Sequence, residues 1–132
     1  MENKQKHLEF IQIIISRMAT NSFIIKGWSI TLVVILFSLL STKTNNDYII
    51  ISFIPILMFW ILDGFFISKE RSFRALYDHV RKLKVGEIDF SMNILDFKIG
   101  RNNWFCSIFS SVSTIFYISL IASMLIIYCL IK

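Results

Sequence analysis

Residues Tyr48–Ile67 read YIIISFIPILMFWILDGFFI, an apolar stretch interrupted by a single ionisable residue, Asp63. A helix of about 20 mostly apolar residues crosses the ~30 Å hydrocarbon core of a bilayer. Phe23–Ser41 and Ile108–Ile131 have the same character. A segment in lipid must satisfy its backbone polar groups internally, which leaves helices as the form for all three. The expected fold class is an all-α membrane protein with three transmembrane helices.

The rest of the chain is too short for a second unit. The protein has 132 residues, 55% of them hydrophobic, with 13 Phe and 1 Pro. What remains outside the spans cannot bury an independent soluble core of any size. One membrane domain, residues 1–132, is expected: an amphipathic cytoplasmic helix at 4–21, spans at 23–41, 48–67 and 108–131, and a cytoplasmic helix and loop at 68–104. A subunit this small rarely encloses a transport path, so a homo-oligomer is expected. Met1–Arg17 mixes charged and apolar residues and no small-residue cleavage site follows, so the first span is expected to stay as an uncleaved anchor.

Charge sets the expected orientation. Lys4, Lys6, Arg17 and Lys26 precede or open span one, and Lys69, Arg71, Arg74, Arg81, Lys82, Lys84, Lys98 and Arg101 lie between spans two and three. The short polar loop Thr42–Asp47 holds only Lys43, and Lys132 ends the chain. The positive-inside rule then places the N-terminus in the cytoplasm and the C-terminus outside.

Helical periodicity continues beyond the lipid. Leu8, Ile11, Ile15 and Met18 mark one face of a helix, which can run into span one without a break before Gly27. Phe66, Phe73, Leu76, Val80 and Leu83 extend span two as a roughly heptad stripe, with Gly86 as its expected terminator and Pro55 as an expected kink. The two extensions are expected to pair as antiparallel cytoplasmic helices. Glu87–Gly100 alternates apolar and polar residues, which fits either a short strand or an extended segment packed on the helices.

Few residues point to chemistry. Lys26 and Asp63 fall at similar depth in antiparallel spans. An intramembrane charge is costly and marks a functional pathway or a structural pair; a lysine near a span end also snorkels to the headgroups. As a function, the pair reads as a gate. Span three carries Ser107, Ser110, Ser111, Ser113, Thr114, Tyr117, Ser119 and Ser123. Small hydroxyl residues favour close helix packing; in a symmetric ring, Ser107, Ser110, Ser111, Thr114 and Tyr117 are candidates to line a wet pore. The cluster Lys69, Arg71, Arg74, Arg81, Lys82 and Lys84 reads as attraction to anionic lipid or as a phosphate-ligand site, with Tyr77 placed to stack on a base.

Other chemistry has no footing. Cys106 and Cys129 lie ~34 Å apart on a straight helix, too far to pair. His7 and His79 have no partner at metal-ligand spacing, so neither a metal nor a cofactor is expected. No glycine-rich phosphate loop and no catalytic grouping of Ser, His, Asp or Cys is present, and the protein is not expected to be an enzyme.

Arg17-Met18-Ala19-Thr20-Asn21-Ser22-Phe23 with Lys26-Gly27-Trp28, and Phe59-Trp60-Ile61-Leu62-Asp63 with Glu70-Arg71, Phe73-Arg74 and Leu76-Tyr77, together resemble a family of short bacterial inner-membrane proteins. That family is similar to antiphage-defence membrane effectors of the Hailong type. The resemblance covers residues 17–77, about half the chain. It implies a homo-oligomeric channel or pore that depolarises the membrane in abortive infection. It also implies opening by a nucleotide or oligonucleotide signal from a partner nucleotidyltransferase, without long nucleic acid. Arg17, Asn21, Arg71, Arg74, Tyr77 and Arg81 are the candidate ligand contacts. The alternative is a non-conducting membrane anchor that docks a cytoplasmic partner enzyme.

Overall fold

A computed structural model describes residues 1–40, 42 and 50–131, with the side chain of Leu40 excepted. Tyr48, Lys43, Lys132 and most of the 42–47 loop therefore lie outside the described residues. Among the described residues four α-helices are present: α1 Glu2–Leu40, α2 Phe53–Lys82, α3 Trp104–Ile108 and α4 Ser111–Ile131. Three of them are long and apolar enough to cross a membrane. In the most apolar stretch of each, only 17%, 22% and 11% of residues are buried, so most of the spanning surface is left for lipid or for other chains.

The expected amphipathic segment and first span are one helix of 39 residues. Its only glycine, Gly27, meets nothing that a side chain would touch, and nothing in 2–40 is a helix breaker. Contacts between α1 and α2 run in opposite order along the two helices. Lys4 meets Leu83, Ile11 and Ile15 share a cluster with Leu76 and Val80, Ser22 meets Asp63, and Val33 shares a cluster with Ile56.

Two apolar cores result. The first gathers Ile11, Ile15, Leu76 and Val80 with Ile88 and Ile94 of the connecting segment. The second gathers Val33 and Ile56 with Tyr117 and Met124 of α4. Between them the buried side chains are, Ile25 apart, polar: Ser22, Ser29, Asp63, Ser107, Ser110 and Ser113.

Several sequence expectations are corrected. Helix α2 stops at Lys82, not at Gly86, because Leu83 turns to extended backbone (φ −72°, ψ 148°) and packs on the first core. Lys4 Nζ donates to the carbonyls of Arg81 and Leu83, at 3.0 and 2.6 Å. A cation there satisfies two terminal carbonyls and favours the negative end of the helix. Lys4→Met is expected to lower the melting midpoint in detergent by about 5 °C, since one such contact is worth about 1 kcal/mol; an unchanged midpoint would remove this role.

Pro55 occupies the third position of α2, within the first turn, whose amides have no intrahelical acceptor anyway, so it removes no hydrogen bond of that helix. The heptad stripe is also incomplete. Leu76 and Val80 are buried as expected, but the row continues through Ser72, Ser68 and Gly64, not Phe66. Residues at a spacing of four share one helical face, and small ones let another backbone approach closely.

That other backbone is the segment returning to span three. Ser68 Oγ donates to the Asn102 carbonyl at 2.6 Å, and Arg71 Nη1 to the Arg101 carbonyl at 2.7 Å. Span three does not begin at Ile108: the chain enters as α3, breaks at Phe109–Ser110 and restarts as α4 at Ser111. Trp60 Nε1 donates to the Ile108 carbonyl at 2.8 Å, filling an acceptor that the break exposes. Gly64 sits against Ile108, with the position of a Cβ only 2.8 Å from Ile108 Cα.

Residues 87–100 form no strand. Side chains bond to backbone two residues ahead: Asp89 to the Ser91 N–H, Ser91 to the Asn93 N–H, and Asn93 to the Leu95 N–H. These local turns take the donors that a strand ladder would use. The alternation still has meaning, because Ile88 and Ile94 reach the core with Met92 packed beside them.

Candidate functional site

Asp63 is fully buried and holds three helices together. Lys26 Nζ of α1 approaches its Oδ2 at 2.6 Å. Ser22 Oγ, one turn before Lys26, donates to Oδ1. Ser113 Oγ, in the first turn of α4, donates to Oδ2 at 2.7 Å. Lys26 Nζ also donates to Ser22 Oγ at 2.8 Å, so the lysine, the serine and the carboxylate form a closed triangle. Only 15% of the Lys26 side chain is exposed. A buried charge is tolerated when it is paired and its remaining lone pairs are hydrogen-bonded, and both conditions hold for this carboxylate.

The depth of the cluster follows from the local sequence. Ser22 and Lys26 are four residues apart and share one face of α1. Asp63 is next to Gly64, where α2 accepts the closest approach of the returning chain. The break before Ser111 then turns the α4 start so that Ser113 reaches the carboxylate. Tyr117, one turn further, is fully buried, stacks on Trp60 with ring centroids 5.6 Å apart, and donates to the Phe59 carbonyl at 3.3 Å.

The expected gate pair is thus brought together, with two partners whose roles the sequence reading had not assigned. Ser22 was detectable as the residue one turn from Lys26. Ser113 was one hydroxyl among eight in span three, and only the helix break selects it.

The other site residues are distributed more widely. Arg17, Asn21 and Tyr77 line one open groove on α1, of about 670 Å3. Arg71 lies elsewhere, in a cavity with Lys26. Arg74 is tied to Glu70 at 2.8 Å, and Arg81 stands 3.5 Å from Asp78. The six candidate ligand contacts therefore do not form one pocket in this chain.

Of the pore candidates, Ser107 and Tyr117 are fully buried inside the protomer and Ser110 is nearly so, while Thr114 is half-buried. Only Ser111 is exposed. The exposed hydroxyls further along α4, Ser119 and Ser123, donate to carbonyls one turn back, at 2.6 and 2.8 Å, which is how a serine satisfies itself in lipid.

Among the described residues no cluster of metal-ligating side chains exists, and both cysteines are free and exposed. Compared with protein-family models, curated proteins and solved structures, the chain matches nothing.

Proposed function

We propose that this protein is a homo-oligomeric ion channel or pore of the bacterial inner membrane, held closed by the Lys26–Asp63 pair. The observation that carries this reading is the fully buried Asp63, hydrogen-bonded from α1 and α4 at once. Ionisable residues inside spanning segments are expensive and mark ion or proton routes. A cluster that joins all three spanning helices is also suited to a two-state element: breaking it removes the polar tie of α4 to α1 and α2 and leaves the apolar contacts around Tyr117 and Met124.

Subunit number and lumen follow from association. Most of each spanning surface is uncovered, which suits packing between copies. Ser111, Ser119 and Ser123 follow one another at spacings of eight and four on an exposed row of α4, and one such row per subunit would wet a lumen. Ser107 and Tyr117 would join it only if the protomer opened. With the basic 68–104 layer in the cytoplasm, the paired ends of α1 and α2 form the sensor layer. The defence role and the nucleotide or oligonucleotide trigger rest on the family resemblance alone.

Proteoliposomes with a potassium gradient and a voltage-sensitive dye test the reading. Asp63→Asn, which keeps size and removes the charge, is expected to raise resting ion flux at least about tenfold over wild type, the change that follows when a closed state loses ~1.4 kcal/mol. Vesicles that stay tight with both proteins, with and without short oligonucleotides, would refute a channel.

One observation favours the anchor reading as an alternative. Phe10 and Ile13 on α1 are exposed beside open grooves, as a surface for a partner enzyme would be. Stoichiometric co-purification of a soluble enzyme, with no ion flux, would favour it.

A further inference from the structure

A cavity of about 300 Å3 lies beside the ion pair, lined by Ser22, Lys26, Glu70, Arg71, Ser110 and Ser111, with Ile67 and Val112 closing it. Two cations face it and both have donors to spare. Lys26 uses two of its three N–H bonds, on Ser22 and Asp63. Arg71 spends Nη1 on the Arg101 carbonyl, which leaves the rest of its five-donor fork. Glu70 also faces the cavity, and Arg74 offsets its charge by contacting Oε1 through Nε at 3.0 Å and Nη2 at 2.8 Å.

The start of α4 supplies a third positive element. Its first backbone bond runs from the Thr114 N–H to the Ser110 carbonyl at 2.8 Å. The amides of Ser111 and Val112 come before that bond and have no acceptor in the helix. A helix N-terminus carries roughly half a positive charge and is a ready anion site. The helix has 21 residues. Ser110 stands where a capping side chain would sit, yet its Oγ is buried and has no hydrogen-bond partner; Thr114 Oγ1 is in the same condition. Buried hydroxyls are rarely left unpaired, and Ser110 is one of the residues that line the cavity.

We propose that this cavity is a binding site for a phosphate group, held by Lys26, Arg71 and the first turn of α4. The chemistry is that of a tetrahedral oxyanion: a fork from arginine, a point charge from lysine, and amides at a helix start. Two sources carry that group to this place. One is the headgroup of an anionic phospholipid, since basic pockets between membrane helices take such headgroups and Trp104 of α3 packs edge to face on Phe65 of α2, 5.8 Å apart, as an interfacial aromatic pair would. The other is a free phosphate compound arriving from solution. The site stands whether or not the protein conducts.

Native mass spectrometry and thermal melting of the detergent-solubilised full chain distinguish the sources. In the first arm, dioleoyl phosphatidic acid is offered against dioleoyl phosphatidylcholine. In the second, inorganic phosphate is offered against chloride at equal ionic strength. The wild type is expected to retain phosphatidic acid about tenfold better than phosphatidylcholine, or to melt higher in phosphate, or both. The first result alone assigns a lipid headgroup and the second alone a soluble phosphate.

Ser111→Asp puts a carboxylate into the anion's place while favouring the helix start. It is expected to abolish the preference with no loss of melting midpoint in chloride. Arg71→Gln, read by the same two arms, is expected to weaken it in parallel. No preference in either arm for wild type, or an equal preference in Ser111→Asp, overturns the site.

Discussion

Lys26→Met is expected to lower stability by about 3–5 kcal/mol, the cost of stripping one partner from a buried ion pair. The reason is the condition in which Asp63 is left. The carboxylate is fully buried and keeps only the hydroxyls of Ser22 and Ser113, neither of which carries charge. Ser22 itself loses the ammonium that donates to it. A fall of roughly 10 °C or more in the melting midpoint in detergent is expected. Asp63→Leu in the same chain should recover most of that fall, because an apolar replacement of both members of a buried pair is often neutral or stabilising. Wild-type melting by Lys26→Met would show that the pair holds nothing, and no recovery in the double variant would show that the loss does not come from the orphaned carboxylate.

This test separates two meanings of the same geometry. If the pair only builds the fold, the double variant is stable and as tight to ions as wild type. If the pair is the closed gate, the double variant is equally stable but its resting flux differs. Stability and conductance then part company, which a purely structural pair would not allow.

The three spans and the meeting of Lys26 with Asp63 were legible from sequence, for a simple physical reason. Apolar length sets what crosses a bilayer, and an ionisable residue inside such a length has few places to go. In two helices that run in opposite directions, a charge early in the first span and one late in the second reach the same level. The apolar rows of α1 and α2 were legible in the same way, and Ile11 and Ile15 share one buried cluster with Leu76 and Val80. The interruption at Phe109–Ser110 was not. No proline or glycine marks it, and the residues around it read as one continuous apolar helix. Its cause is distant in sequence: Trp60 supplies a donor to Ile108, and Gly64 supplies room. Ser113 as a partner of Asp63 depends on that break, so it stayed hidden as well. The spacing Gly64, Ser68, Ser72 was visible and indicates a close helix approach, but only contacts reveal that the guest is the 101–108 segment and not another long helix. The end of α2 at Lys82 was hidden for a similar reason, since Lys4 caps it from the far end of α1.

Gly64→Val is expected to expel α3 from its seat and to disturb the α4 start with it. The atoms in the way decide the size of the effect. A Cβ at Gly64 would overlap Ile108 Cγ1, lie 2.8 Å from Ile108 Cα and 3.0 Å from Ile108 N. A side-chain tip can rotate away, but backbone cannot without moving α3, and α3 is pinned by Trp60 at the Ile108 carbonyl and by Trp104 Nε1 at the Ile61 carbonyl, 3.1 Å. Overpacking a tight site costs about 1–3 kcal/mol when neighbours can shift, and pinned backbone puts this site at or above the upper end. Ile108→Ala is therefore expected to rescue Gly64→Val only in part, because it removes the Cγ1 overlap and leaves the Cα and N contacts in place. Hydrogen exchange is the informative readout. Amides of residues 104–114 should lose protection, while those of α1 and α2 around Ile11, Ile15, Leu76 and Val80 should keep theirs, because that core does not touch α3. Full rescue by Ile108→Ala would mean that the close approach is one of side chains alone, and uniform loss of protection would mean that the two cores are not separate. Retained protection at 104–114 in Gly64→Val would show that the returning chain does not depend on this glycine, and the placement of Ser113 on Asp63 would then need another explanation.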